Sequence, residues 1–166
     1  MNLVDLNKCD IKHAQIELLK CCGSTKWVEN ILAARPYSSV ANLFELAEKI
    51  WLELSKDDYL EAFAAHPKIG QSKIPEKWTR KEQAGMMSAD AQTKIELLKE
   101  NRNYEKKFGY IFIVFATGKS AIEMLDLLRL RMENSPEMEL HIAAQEQNKI
   151  TNLRLKKMLS DAKFGL

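Results

Sequence analysis

Apolar residues recur at three- and four-residue steps along the whole 166-residue chain, a period that leaves room for little besides helices. Six glycines and four prolines are few, so long regular elements are expected to dominate. Val40, Leu43, Phe44, Ala47, Ile50, Trp51 and Leu54 place an amphipathic helix over about residues 39–54. Ser55, with Asp58 three residues on, opens a second, shorter helix that turns Leu60, Phe63 and Ala64 inward. It stops near His66, because Pro67 disfavours helical geometry in the residue before it. Gly70 and Pro75 then mark an irregular stretch to about residue 77.

Thr79 and Glu82 form another capping-box pattern, and Gly85 and Ser88 suggest a break before a long helix over about 89–107. The inward face of that helix is read as Ile95, Leu98, Tyr104 and Phe108, and Gly109 ends it. The apolar run Tyr110 to Ala116 fits a buried strand or a buried helix. With no second strand to pair its backbone, a helix is expected. A further helix covers Ala121 to Asn134, with Ile122, Leu125, Leu128 and Met132 on one side. Ser135, Pro136 and Glu137 are a strong opening for a last helix to about Ser160. The expected architecture is all-α: one compact domain over residues 1–166, a bundle of about seven or eight helices.

A net charge of +2, with basic and acidic residues interleaved as in Glu100 to Lys107, argues against a nucleic-acid partner. Cys9, Cys21 and Cys22 are odd in number and lack metal-ligand spacing, so reduced thiols are expected. Met1 to Asp10 lacks a basic head followed by an apolar run, so no signal peptide is expected. The longest apolar stretch, Tyr110 to Ala116, falls far short of the roughly 20 residues that span a bilayer. The expected location is the cytoplasm.

Three places could carry chemistry. His66 sits at a helix end, followed at once by a proline that fixes the backbone and by Gly70, which frees it a turn later. It is either an exposed terminal histidine or a general acid–base group, since imidazole titrates near neutral pH unaided. Glu82 and Gln83 lie at a helix start, where Glu82 either only caps or joins Gln83 and Thr79 in facing a pocket. Arg154 shares a half-apolar stripe with Ala143, Gln147 and Ile150, and so needs a carboxylate such as Glu146 or a bound anion. Gly118-Lys119-Ser120 resembles the end of a phosphate-binding loop, but Ile113 stands where that motif needs glycine. His13, His66 and His141 show no metal-ligand spacing, and no metal is expected.

Taken in order, the motifs resemble the 2-oxo-4-hydroxy-4-carboxy-5-ureidoimidazoline (OHCU) decarboxylase family. The resemblance rests on His66-Pro67-Lys68-Ile69-Gly70, Glu82-Gln83-Ala84-Gly85, Asn101-Arg102-Asn103-Tyr104 and Lys107 to Val114. It continues through Ala116 to Ala121 into Glu139-Leu140, Glu146, Lys149-Ile150 and Arg154-Leu155. It covers roughly residues 35–158, and the first 35 residues match the family poorly. The resemblance implies an all-helical homodimer, free of metal and organic cofactor, that converts OHCU to (S)-allantoin. By the same resemblance His66 and Glu82 are catalytic. Pro67, Thr79, Gln83, the run Ile113, Val114, Phe115, Ala116 and Thr117, and Arg154 are expected to bind substrate. Thr79 departs from the serine found in many members, keeping the hydroxyl but adding a methyl.

Two other readings stay open on the residues alone. One is a non-enzymatic helical interaction module built on the long last helix. The other is a related lyase or hydrolase acting on a different ureido ring.

Overall fold

The computed structural model describes residues 1–67 and 91–160, and among these the fold is all-α, with eight helices and no strand. They are α1 (Leu3–Lys8), α2 (Ile11–Cys21), α3 (Thr25–Ala33), α4 (Val40–Leu52), α5 (Lys56–Ala64), α6 (Ala91–Phe108), α7 (Ala121–Met132) and α8 (Pro136–Ser160). The irregular stretch expected around Gly70 and Pro75, the Thr79–Glu82 cap and the break at Gly85 and Ser88 lie outside the described residues.

Short polar side chains open these helices, satisfying N–H groups that the first turn leaves unpaired. Asn2, Asp10, Ser24, Ser39, Ser55 and Ser120 each accept a backbone N–H three residues on. The boxes at Asn2–Asp5, Ser55–Asp58 and Ser120–Glu123 are reciprocal. Ser135 likewise accepts from Met138 N–H at the start of α8.

The chain divides into two units, residues 1–65 with the chain from Gln147 onward, and residues 66–146. In the first, Leu6, Leu18, Trp27, Ile31, Leu43, Trp51, Phe63 and Leu155 are buried. Trp27 Nε1 donates to Ala47 O across α3 and α4 at 3.1 Å, and Tyr59 Oη donates to Trp51 O at 3.0 Å. In the second unit α6 and α7 pack together, burying Leu97, Tyr104, Met124, Leu125 and Leu128.

Several expected inward positions are displaced around their helices. Val40, Ile95 and Ile122 are exposed, and so is Ala64 beside the buried Ala62. On α6 the inward line runs through Thr93, Leu97 and Tyr104, which rotates Ile95 outward. On α7 it runs through Ala121, Met124, Leu125, Leu128 and Arg131, so Ile122 faces out. The run Tyr110 to Ala116 is neither helix nor strand, correcting the expectation of a helix, although Tyr110, Phe112, Ile113 and Val114 are buried as an apolar run requires.

Candidate functional site

His66 is half-buried and lies one residue past Ala65, the C-cap of α5. The end of α5 is held by contacts from the α2–α3 link. A Cβ built on Gly23 would stand 2.5 Å from the Ala65 Cβ, so only glycine allows this approach. The Glu61 carboxylate accepts from Thr25 N–H at 2.6 Å and Thr25 Oγ1 at 3.0 Å, tying the start of α3 to α5. His66 follows directly in sequence on this held helix end. Pro67 beside it is exposed.

Arg154 lies half-buried on α8, and in its own unit it has a carbonyl rather than a carboxylate for a partner. Its Nη1 donates to Lys20 O at 3.5 Å, the outer limit of a hydrogen bond, in the last turn of α2. Glu146, the acid suggested as its ion-pair partner, belongs to the other unit, where it accepts from Phe115 N–H at 3.3 Å. One turn before Arg154 the buried Thr151 accepts from the buried Gln147 Nε2 at 3.1 Å.

The segment from Ile113 to Thr117 explains how a buried run can do without regular structure. Its backbone finds side-chain partners: Arg131 Nη1 donates to Ile113 O at 2.6 Å, and Lys119 Nζ to Phe115 O at 2.7 Å. Gly118 follows in the left-handed region at φ +78°, and Ser120 caps α7. Gly118-Lys119-Ser120 thus shapes this turn: the glycine bends it, the lysine folds back and the serine starts the next helix.

Arg131 was not among the residues singled out in the sequence. Its side chain is 8% exposed, and that of its ion partner Glu139 is 0% exposed. Glu139 Oε1 accepts from Arg131 Nε at 2.6 Å and from Tyr104 Oη at 2.6 Å, while Oε2 accepts from Asn134 Nδ2 at 3.0 Å. Arg131 Nη2 also lies 2.6 Å from Oε1, without the alignment for another hydrogen bond. The guanidinium carbon sits 4.5 Å from the Phe112 ring centroid and 6.0 Å from that of Tyr104. Burial, and then the bond to Glu139, push the Tyr104 phenol well above its ordinary range, so it stays protonated and donates.

Of the residues expected at a site, His66, Pro67 and Ile113–Thr117 belong to the 66–146 unit and Arg154 to the other. Thr79, Glu82 and Gln83 lie outside the described residues. Among the described residues no cluster of three or more His, Cys, Asp or Glu side chains gathers as metal ligands. No helix there is long and apolar enough to cross a membrane.

A family model described as OHCU decarboxylase matches residues 7–156, reaching well into the first 35 residues that the motif comparison leaves out. The chain is 40% identical over 149 residues to the uric acid degradation bifunctional protein TTL of Arabidopsis thaliana, across 85% of this chain and 46% of that protein. It therefore spans less than half of that relative. It is 25% identical over 164 residues to the 2-oxo-4-hydroxy-4-carboxy-5-ureidoimidazoline decarboxylase of Halalkalicoccus jeotgali, covering 95% of this chain and 92% of that one. A crystal structure of OHCU decarboxylase in the presence of (S)-allantoin superposes with a TM-score of 0.77 at 38% identity, over 87% of this chain and 97% of that one.

Proposed function

The chain belongs to the OHCU decarboxylase family, and from that premise we propose that it converts OHCU to (S)-allantoin, releasing carbon dioxide. The reading is carried by one observation: 38% identity, over 87% of this chain, to an OHCU decarboxylase solved in the presence of (S)-allantoin.

In OHCU the carboxylated ring carbon adjoins a C=N carbon. When the carbon–carboxylate bond breaks, its electron pair moves into the ring and is taken up through that C=N as an enol-like intermediate. The ring nitrogen and the ureido-bearing carbon each take a proton, and the ring hydroxyl gives one up as it becomes a carbonyl, so one proton is consumed overall. The change is redox-neutral, and the protein's tasks are orientation, electrostatics and delivery of a proton to one face.

His66 and Glu82 engage the hydroxyl and carboxylate region, and His66 helps deliver the proton that sets handedness. Arg154 holds an anionic or carbonyl edge with its planar fork. Pro67, Thr79, Gln83 and the backbone of Ile113 to Thr117 border the ring. The working form is a cytoplasmic homodimer.

Product identity separates this reaction from hydrolysis of the same ring. Carbon-13 spectra of freshly made OHCU treated with the protein should show allantoin and carbon dioxide as the first products. Release of urea with the carboxylate retained would assign a hydrolase instead.

A further inference from the structure

We propose that Arg131, locked by Glu139 and Tyr104, is a positioning residue that sets the substrate-facing edge of the Ile113–Thr117 segment; this rests on the decarboxylase reading above. Three successive peptide planes in the segment are each held at one end by a side chain. Arg131 holds Ile113 O at 2.6 Å, Glu146 holds Phe115 N–H at 3.3 Å, and Lys119 holds Phe115 O at 2.7 Å.

A trans peptide is planar, with its C=O and N–H pointing in opposite directions, so fixing one end fixes the other. The opposite ends are Val114 N–H, Val114 C=O and Ala116 N–H. Among the described residues none of these three groups has a hydrogen-bond partner, although Val114 is only 6% exposed. Buried backbone groups are seldom left unpaired, and a donor–acceptor–donor edge of this kind suits the alternating C=O and N–H groups of a cyclic ureide.

Arg131 is itself held from several sides. Glu139 takes its Nε, Phe112 and Tyr104 stack on its guanidinium, and Tyr104 and Asn134 complete the carboxylate. Lysine in its place has one ammonium for two acceptors that the fork of arginine reaches together.

Two variants test the role against fresh OHCU, with melting and helical circular dichroism recorded beside the kinetics. Arg131→Lys keeps the charge but cannot hold Glu139 and Ile113 O together. The double variant R131M/E139Q removes the clamp without leaving a buried charge unpaired, whereas a single truncation of Arg131 strands the buried Glu139 carboxylate. Both are expected to raise KM about tenfold or more, the scale of losing one or two hydrogen bonds, with the larger rise in the double variant and a smaller change in kcat. A purely structural role would lower the melting temperature and leave the KM of the folded enzyme unchanged. An active wild type whose folded variants keep the wild-type KM would overturn the positioning role alone. A wild type inert toward OHCU would overturn the decarboxylase reading and this role with it.

Discussion

Two arginines in this chain sit among apolar neighbours, and their surroundings give them different work. Arg131 has its carboxylate, its carbonyl and two aromatic faces within the fold, so its binding capacity is largely used internally. Arg154 has one long bond to a helix-end carbonyl in its own unit, leaving most of its five donors for another acceptor. Arg154 is legible in the sequence because a charge recurs on a half-apolar stripe. The same signal stands at Arg131, on the line of Met124 and Leu128, but assigning Met132 to the inward face leaves Arg131 outside it. His66 is legible as a helix-end imidazole before proline, while its role comes only from the family motif. On the proposed mechanism, His66→Ala should lower kcat by about 10²–10⁴-fold, the usual contribution of a placed acid–base group, with unchanged helical circular dichroism. Steady-state rates within a factor of two of wild type would remove it from the mechanism.

At the scale of elements, the helix starts are the most legible feature, because each depends on residues within one turn of one another. Ser55–Asp58 and Ser135–Pro136 are read directly, and the helices they open begin at Lys56 and Pro136. The Tyr110–Ala116 run is illegible for the opposite reason. Two of its three side-chain partners, Arg131 and Glu146, stand 18 and 31 residues from the groups they bind, and no local pattern announces them. The first three helices escape the motif comparison because they contribute core residues such as Leu6, Leu18 and Trp27 rather than chemistry-bearing ones. The α2–α3 link nevertheless positions the end of α5. Gly23→Ala would place a Cβ 2.5 Å from that of Ala65, forcing α5 and the link apart. Urea unfolding should show a loss of about 1–3 kcal/mol, the usual cost of overpacking, and an unchanged midpoint would contradict the close approach.

For the molecule as a whole, the all-helical class follows from periodicity, while the division of contacts into two units, both including part of α8, has no sequence marker. The cysteines report on the intact fold. All three are free thiols, with Cys21 and Cys22 buried. Burial pushes Cys21 from an ordinary 9.0 up to about 12, against a smaller opposing pull from Arg154. Burial likewise pushes Cys22 up to about 11, against hydrogen bonds from the Ser24 backbone and Thr151. A raised pKa means that the folded state favours the protonated thiol. The resulting stability is complete below about pH 9, where the unfolded thiols are also protonated, and is lost as pH rises through 11 to 12. Iodoacetamide at pH 8 should therefore spare Cys21 and Cys22 in the native protein and label all three cysteines in urea. Labelling of either buried thiol without unfolding would contradict the packing of α2.

Stereospecific decarboxylation can be watched by generating OHCU from urate in place and following its circular dichroism as it decays. Left alone, the substrate should lose its carboxylate slowly and give racemic allantoin. Adding the protein should accelerate the decay and leave the persistent signal of (S)-allantoin. Unchanged decay in the presence of folded protein, or a racemic product, would contradict it.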